Sequence, residues 1–515
     1  MHTPVRVGAW SQPGANVCPV FQPRTDPTLH GILNPTMATA CPVTRELDAL
    51  DHQHLWHPFT PMRQWRQVEP LIIERAEGCE LIDVDGNRYL DGVSSLWCNV
   101  HGHQVPQIDA AIRAQLDKVA HTTLLGLASP PSIELAARLC ELAPGRLNKV
   151  FYSDAGATAI EVAFKMAVGY WHHHGQPEKD HFVGFHGAYH GDTTGAMSVG
   201  FTDLFHRPFV SMVFPTTLVP VPNASHPSEQ IAPAVKTERT EDGVWPSEDK
   251  AVNEALRDRC LAELDAILNE KRDRVAAVVI EPVMQGAAGM VCHPPGFLRG
   301  VADLSRKHDT LLIADEVATG FGRTGTLFAC EHERVEPDLM CLAKGITGGY
   351  LPLAATLATD KIESAFCGDV SDRRTLYHGH TYTGNALGCA AALASLDLIQ
   401  SQDLLGHING SAAMIADRLD TLRDPVTYPH VLDVRQRGLM VGIELGEDRS
   451  HHRSLDPDRR TGAQLCEAMR RQGLILRPLG DIIVLMPIPA MPQDHLARML
   501  DIVVETILDW PVEGD

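Results

Sequence analysis

Short apolar runs alternate with amphipathic helical stretches through the middle of the chain. Continuous apolar runs predict buried strands, whereas apolar residues repeating every three to four positions predict helices. The strands predicted in this way are 149–153, 181–185, 276–280 and 311–313, and the helices among them include 157–170 and 295–308. Strands that alternate with helices predict an α/β fold with a mainly parallel central sheet covered on both faces.

The two flanks of this region have a different pattern. Short strands are predicted at 71–73, 80–84 and 88–91, with a hairpin turn at Asp85–Gly86, and at 431–437, 439–445 and 482–486. Helices are predicted at 106–119 and 131–142, and long helices again from about residue 390. We therefore expect a large domain, 106–389, and a small α+β domain built from both termini, 45–105 and 390–515.

Two segments lack any periodicity. Residues 1–44 are rich in Pro, Thr and Gly and have no signal-peptide pattern, so they are expected to form a disordered extension unless Met37 is the true start. Residues 222–257 are polar, charged and proline-bearing, and are expected to form a surface insert that leads into a helix ending near Glu270.

Composition narrows the function classes. The 515-residue chain has a formal net charge of −21, which argues against nucleic-acid phosphates and anionic membrane surfaces as partners. Its 12 cysteines are scattered without a C-x-x-C pair, so neither a disulfide framework nor a zinc module is indicated, and a cytoplasmic location is expected. No apolar run approaches the roughly 20 residues of a membrane span.

Chemically interesting side chains follow two of the predicted strands. The run 311–314 ends on Asp315 and Glu316, and the run 339–343 ends on Lys344 and a glycine-rich loop. Ligands of parallel α/β sheets bind at the carboxyl ends of the strands. An acid and a lysine at this edge indicate either a cofactor that engages both or a structural ion pair, and these two segments alone do not decide between them.

Two loops offer further candidates. The turn 154–161 places small residues between a strand and a helix, where backbone N–H groups can bind a phosphate, although an ordinary tight turn with Asp154 as cap has the same pattern. Tyr189 lies in the glycine-rich loop 187–191, where it could stack on a flat cofactor ring or simply be a surface aromatic.

Three other patterns need an interpretation. The sequence 320–325 matches G-x-G-x-x-G, but it neither follows a strand directly nor opens a helix, which makes a nicotinamide enzyme the weaker hypothesis. The histidines 172–174 are interpreted as a solvated helix end, and no metal site is expected. Arg477 could bind a substrate carboxylate or pair with an acid of the fold.

Together these features fit one cofactor. Pyridoxal 5′-phosphate needs a Schiff-base lysine, an acid at its pyridine nitrogen, a phosphate site and a group that flanks its ring. A lysine with its ordinary pKa is too basic for this chemistry, and burial of Lys344 would lower that pKa.

The same segments resemble a known family. Residues 311–325 and 344–349 resemble the class III aminotransferases of fold-type I. Five further motifs are similar to the 7,8-diaminononanoate synthases of biotin biosynthesis: 54–60, 99–102, 189–193, 280–286 and 378–385. The resemblance runs from about His54 to near Pro489. It implies transamination of 8-amino-7-oxononanoate, with pyridoxal 5′-phosphate as cofactor, in a homodimer with shared active sites.

The resemblance also implies a role for each matching residue. Lys344 would bind the cofactor and move the proton, Asp315 would hold the pyridinium nitrogen, and Tyr189 would flank the ring. Of the cofactor's phosphate contacts, Gly156 and Ala157 would come from this chain and His380 and Thr381 from the neighbouring subunit. The substrate pocket would be formed by Phe59, Leu96, Trp97, Tyr189, Lys344, Gly379 and Arg477, with Arg477 at the carboxylate.

Four positions depart from the family pattern. Ala157 stands where the family has a serine, so only its backbone N–H could contact phosphate. Phe59, Leu96 and His380 stand where members that use S-adenosylmethionine commonly have tyrosine, tryptophan and proline, and they resemble members that take lysine. The amino donor is therefore expected to be either S-adenosylmethionine or lysine. Another class III ω-amino acid or diamine transaminase remains the alternative, followed by a nicotinamide oxidoreductase.

Overall fold

The computed structural model describes residues 42–226, 246–449 and 453–510. The strands are β1 (Ile73–Glu77), β2 (Glu80–Asp83), β3 (Arg88–Asp91), β4 (Leu147–Ser153), β5 (His181–Phe185), β6 (Thr217–Val219), β7 (Val275–Ile280), β8 (Met284–Gln285), β9 (Val291–Cys292), β10 (Leu311–Asp315), β11 (Leu339–Leu342), β12 (Ala354–Thr359), β13 (Val431–Arg437), β14 (Met440–Asp448), β15 (Arg453–Ser454), β16 (Leu474–Ile475), β17 (Arg477–Leu479) and β18 (Ile482–Leu485).

The helices are α1 (Pro42–His54), α2 (Met62–Trp65), α3 (Ser94–Trp97), α4 (Pro106–Leu116), α5 (Pro130–Leu142), α6 (Gly156–His173), α7 (Thr194–Val199), α8 (Asp203–His206), α9 (Lys250–Glu270), α10 (Phe297–Lys307), α11 (Asp360–Ser364), α12 (Ala386–Ser401), α13 (Leu404–Leu419), α14 (Thr461–Arg471) and α15 (Gln493–Leu508). The chain divides into a small unit that ends at Pro58 and a large unit from Phe59 onward. In the small unit, His57 Nε2 lies 2.7 Å from Asp51 Oδ2.

The central sheet has seven strands in the order β4-β12-β11-β10-β7-β5-β6. β12 is antiparallel to both of its neighbours, and the pairs from β11 to β6 are parallel. The predicted α/β class with a mainly parallel sheet is therefore confirmed.

Both faces of this sheet are buried at the central strands β7, β10 and β11, which explains why these strands are apolar without alternation. On β10, Leu311 and Ile313 pack in the cluster that contains the apolar side of α6. Leu312 and Ala314 point to the opposite face, into the cluster that contains residues of α5, α9 and α10. Successive side chains of a strand alternate between faces, so a strand covered on both faces needs apolar residues at every position.

A smaller sheet joins the two ends of the large unit. Its order is β1-β2-β3-β16, and β16, from near the C-terminus, runs parallel to β3 with Leu474 opposite Leu90. Another sheet, β13-β14-β18-β17, belongs entirely to the C-terminal part. This shared sheet is consistent with a small domain formed by both ends of the chain. The predicted boundaries of that domain, 45–105 and 390–515, stay a prediction.

Several predicted boundaries differ from those of the structure. The first strand is 73–77 and not 71–73. β1 is an edge strand with mostly exposed residues, so a run of apolar residues does not mark its position in the sequence. The helix predicted over 106–119 ends at Leu116. α9 begins at Lys250, capped by the Asp249 side chain, which accepts a hydrogen bond of 3.0 Å from the Val252 N–H, so the expected insert 222–257 is partly helical.

Residues 1–41 and 227–245 lie outside the described residues, and with them most of the expected disordered extension and the middle of the insert. A helix already begins at Pro42, inside the segment 1–44. Among the residues that the structure describes, no helix combines the length and the apolar character that crossing a membrane requires.

Candidate active site

Asp315 and Lys344 line one cavity at the carboxyl edge of the parallel strands. Asp315 is the last residue of β10 and pairs in register with Cys341 of β11, three residues before Lys344. The cavity has a volume of about 670 Å³. Adjacent parallel strands therefore deliver the acid and the amine to the same space, as the sequence predicts.

The two groups do not pair with each other within the described residues. Asp315 Oδ2 instead lies 2.6 Å from His190 Nδ1, and its Oδ1 accepts a hydrogen bond of 3.0 Å from the Val317 N–H. The Lys344 ammonium lies 4.7 Å from the centre of the Trp97 ring. The geometry thus removes the structural Lys–Asp ion pair as an explanation and leaves two separate groups facing one cavity.

Burial sets the basicity of Lys344. Desolvation lowers the pKa of this amine, and the carboxylates of Asp315 and Glu281 oppose that shift without reversing it. A lysine with a lowered pKa is a better nucleophile and proton carrier near neutral pH. The backbone at Lys344 has φ +45°, in the left-handed region that costs energy for a residue with a side chain.

His190 is a site residue that the sequence analysis did not single out. It is 4% exposed, and although burial lowers its pKa, the hydrogen bond to Asp315 and the charges of Asp315 and Glu281 raise it further than burial lowers it. His190 and Asp315 therefore form a buried hydrogen-bonded pair, which fixes the orientation of Asp315. The position of His190 directly after Tyr189, in the loop that follows β5, is the only sequence signal for it.

Glu281 is a second residue that sequence reasoning missed. It follows β7 directly, and its two oxygens accept hydrogen bonds of 3.0 Å each from the Tyr189 and Gly286 N–H groups. Burial raises the pKa of Glu281 to about 7, with the His190 charge lowering it and the Asp315 charge raising it by smaller amounts. This carboxyl group ties together two loops that border the cavity.

The turn before α6 has the geometry of an anion site. Ala155, the residue before the helix, has no polar side chain to cap it, so N–H groups of the first turn remain available to a ligand. Gly191 approaches so closely that a Cβ there would lie 2.4 Å from the Cβ of Ala157. Asp154, Ala155, Gly156 and Ala157 all line the cavity. The N-terminus of an 18-residue helix thus faces the space that Lys344 and Asp315 also face.

Tyr189 borders the same space. Its hydroxyl donates a hydrogen bond of 2.8 Å to Asp192 Oδ2, and its ring is nearly parallel to that of His206, at 14°. Burial, and then the contact with Asp192, raises the pKa of Tyr189, so the hydroxyl stays protonated. The hydroxyl end of the Tyr189 side chain is therefore held by Asp192.

Trp97 lines the cavity and is the last residue of α3, a single turn with a strained backbone. Ser94, Ser95, Leu96 and Trp97 have φ values of +49°, +57°, +108° and +67°. Such a run of left-handed residues persists only where its surroundings enforce it.

The buried carboxylate of Asp91 holds this strained backbone in place through hydrogen bonds. It is 0% exposed and accepts hydrogen bonds from the Ser95 N–H at 2.9 Å and the Ser95 hydroxyl at 2.7 Å, while His103 Nε2 lies 3.4 Å away. These hydrogen bonds lower the pKa of Asp91 although burial alone would raise it. On the opposite side, a Cβ on Gly286 would lie 3.0 Å from Trp97 Cζ3, so glycine leaves room for the indole.

Six expected site residues do not line the cavity of the single chain. Phe59 and Leu96 are 56% and 51% exposed. Arg477 is exposed at the start of β17 and forms no ion pair within the described residues. His380 Nδ1 lies 2.9 Å from Asp154 Oδ2, and the Thr381 carbonyl accepts from His121 Nε2 at 2.8 Å. Gly379 is also exposed and outside the cavity lining. The expected roles of these six residues in binding substrate or cofactor stay predictions.

The cavity residues fit pyridoxal 5′-phosphate. A lysine with a lowered pKa, a buried carboxylate, an uncapped helix N-terminus and an aromatic ring surround one space of about 670 Å³. The glycines 320–325 lie in turns before the short 3₁₀ helix Ala329–Glu333 and open no α-helix, so they do not form a dinucleotide fingerprint. In the described part of the chain, no group of three or more His, Cys, Asp or Glu could hold a metal ion.

Comparison with known proteins identifies the enzyme family of this chain. Residues 62–507 match the family described as Aminotransferase class-III. The chain belongs to this family and is a pyridoxal 5′-phosphate-dependent aminotransferase of fold-type I. The nicotinamide hypothesis is thereby excluded.

Several known proteins are similar to this chain over most of its length. The adenosylmethionine-8-amino-7-oxononanoate aminotransferase of Geobacter sulfurreducens is 46% identical over 89% of this chain and 96% of the relative. The protein of that name from Nitratidesulfovibrio vulgaris is 48% identical over 90% of this chain and 82% of the relative. The crystal structure of the Methanocaldococcus jannaschii enzyme of that name superposes with a TM-score of 0.81 at 39% identity, covering 90% of this chain and 98% of the other. A thermostable (S)-enantioselective omega-transaminase from Thermomicrobium roseum also has a TM-score of 0.81, at 35% identity, over 90% of this chain and 98% of the other.

Proposed function

We propose that this enzyme transaminates 8-amino-7-oxononanoate to 7,8-diaminononanoate in biotin biosynthesis. The observation that carries this proposal is the identity of 46% and 48% with relatives of that name over about nine-tenths of the chain. The motifs around Lys344, Asp315 and Tyr189 support it, because they lie at one cavity.

Each cavity residue has a role in this proposal. Bound pyridoxal 5′-phosphate supplies an electron sink that lets an amine exchange for a ketone. The Lys344 amine binds the cofactor and then carries the proton between the carbon atoms that react. Asp315, oriented by His190, keeps the pyridine nitrogen protonated. The N–H groups of Gly156 and Ala157 hold the phosphate, and Tyr189 flanks the ring.

The substrate is bound by groups around Trp97. Phe59, Leu96, Trp97 and Gly379 form the walls of the pocket, and Arg477 binds the carboxylate of 8-amino-7-oxononanoate. The absence of an acid paired with Arg477 in the described residues supports this role, since its guanidinium is available for a bidentate contact.

The active enzyme is a homodimer in the cytoplasm. His380 and Thr381 contact the phosphate of the partner subunit's cofactor. Their position outside the cavity of their own chain, on a segment with exposed Tyr377 (78%) and Tyr382 (59%), supports a subunit contact at this surface.

The amino donor is S-adenosylmethionine or lysine. Leu96 and Phe59 lack the indole and the hydroxyl that the family's S-adenosylmethionine users commonly carry. A half-reaction decides between the donors. The cofactor-loaded enzyme is mixed separately with S-adenosylmethionine and with lysine, and the loss of the yellow cofactor absorbance is followed. The productive donor bleaches the colour, and 8-amino-7-oxononanoate then restores it.

The alternative is an ω-amino acid or amine transaminase, favoured by the structural similarity to the Thermomicrobium roseum enzyme. Restoration of the colour by pyruvate but not by 8-amino-7-oxononanoate would establish that alternative. Restoration by 8-amino-7-oxononanoate alone would exclude it.

A further inference from the structure

A second cavity has a lining of its own, distinct from that of the active site. It has a volume of about 660 Å³ and is lined by β13, α13, the start of α9 and the segment after β9. None of its lining residues also lines the active-site cavity. The activity derived above makes no use of it.

Three side chains at this cavity carry buried polar atoms without a partner. Both ring nitrogens of His293 make no hydrogen bond, and neither do Nε and Nη2 of Arg435 or Nε of Arg437, within the described parts of the chain. His293 and Arg435 are each only 2% exposed. Buried polar groups nearly always have a partner, so five unpartnered nitrogens around one cavity indicate a missing ligand.

The charges at the cavity favour an anion. Arg435 Nη1 lies 2.5 Å from Glu444 Oε2 and 3.6 Å from Asp433 Oδ2, which leaves the other two nitrogens of the guanidinium to donate elsewhere. Arg437 forms no ion pair with a described acid. The three described acids that line the cavity are already engaged. Glu248 accepts two hydrogen bonds of 2.8 Å from Arg423, Asp420 accepts one of 2.5 Å from the same side chain, and Glu254 lies 3.9 Å from Lys250. The uncompensated charge is therefore that of Arg437.

His293 completes the set of donors. Burial, and then the charge of Arg437, lowers the pKa of His293 to about 3, so the ring is neutral and offers one N–H donor and one acceptor. Guanidinium groups match the planar oxygens of carboxylates and phosphates. Inorganic phosphate and small organic acids are both small enough for this volume.

We propose that this cavity is a binding site for a small anion with a carboxylate or phosphate group, held by Arg437, Arg435 and His293. It is independent of the substrate and donor of the transamination. The same site is expected whichever class III reaction the enzyme performs.

Calorimetric titration of the cofactor-loaded enzyme tests the site. Inorganic phosphate and succinate are the probes, and uncharged succinamide is the control. At least one of the two anions is expected to bind once per chain with a Kd of ~1 mM or below, and succinamide is expected not to bind. Which anion binds identifies the phosphate or the carboxylate as the preferred group.

Matched variants locate the binding. Arg437→Gln is expected to weaken it at least ~10-fold, the loss that removing a hydrogen bond to a charged group causes. Arg477→Gln, at the expected substrate carboxylate, is expected to leave it unchanged. His293→Phe removes both ring nitrogens at similar volume, is expected to weaken binding likewise, and serves as the test if Arg437→Gln fails to fold.

The proposal is overturned if neither anion binds, if succinamide binds equally well, or if Arg437→Gln and His293→Phe bind like the wild type. Loss of binding in Arg477→Gln alone would place the anion in the substrate pocket and would also overturn it. None of these results bears on whether 8-amino-7-oxononanoate is the substrate, which the half-reaction decides.

Discussion

Two walls of the active-site cavity are built on opposite principles. Asp315 ends β10 and Lys344 lies two residues after β11. Both strands are regular and fully buried, and their parallel pairing brings the two groups to one edge. Trp97 instead comes from a turn in which four successive residues have positive φ, held by the buried carboxylate of Asp91. The position of the first wall is set by strand pairing in the central sheet. The position of the second wall depends on the Asp91 side chain, which keeps an unfavourable backbone conformation in place.

The difference shows where the chemistry and the specificity are located. The strand-end wall holds the groups that the cofactor requires and depends on the core of the large sheet. The strained turn determines where Leu96 and Trp97 lie, and these are the positions expected to contact the donor. Changes in the first wall should therefore abolish the reaction, whereas changes in the second should alter substrate affinity.

Replacing Lys344 by Ala should have the largest effect. The proton carrier is lost, and turnover is expected to fall by ~10³-fold or more. Steady-state rates at saturating cofactor measure this. Lys361→Ala, an exposed lysine on α11 that borders no part of the cavity, is the control and should keep wild-type rates. Repeated turnover by the Lys344→Ala enzyme would contradict the assignment.

Asp315→Asn should come next. The neutral amide removes the negative charge from the pyridine nitrogen and from His190 Nδ1, and we expect a loss of kcat of about 10²-fold. Asp315→Glu keeps the charge on a longer side chain and should lose less. Equal activity of the amide variant and the wild type would show that the carboxylate has no role at the cofactor.

Asp91→Asn tests the strained wall. The amide cannot accept both hydrogen bonds from Ser95, so the turn should relax and kcat/KM should fall by ~10-fold through a higher KM, with the cofactor spectrum unchanged. Ser95→Ala, which removes only the hydroxyl contact, should have a smaller effect. A drop in kcat together with loss of the cofactor would assign Asp91 to the stability of the fold instead.

Glu281→Gln should give the smallest effect, and one that depends on pH. The pKa of Glu281 is raised from its usual 4.5 to about 7, so between these values the folded protein binds more protons than the unfolded chain. The contribution of Glu281 to stability is therefore present at low pH and is lost as the pH rises through about 7. The melting temperature of the wild type minus that of Glu281→Gln should fall across this range. A difference that stays constant with pH would refute the raised pKa.

The sequence predicts the first wall well and the second one poorly. Apolar runs mark strands buried on both faces, so the ends of β10 and β11, and with them Asp315 and Lys344, can be read directly. His190 and Glu281 follow β5 and β7, and their convergence on Asp315 depends on the strand order β10-β7-β5, which periodicity does not contain. The role of Asp91 depends on a backbone conformation that local propensities disfavour, so no residue pattern predicts it.

The most direct test of the role of Lys344 is to map the lysine that carries the cofactor. The cofactor-loaded enzyme is reduced with borohydride and digested, and the peptide that bears the pyridoxyl group is sequenced by mass spectrometry. We expect the label on Lys344 alone. A label on any other lysine, or no label in an enzyme that still transaminates, would contradict it.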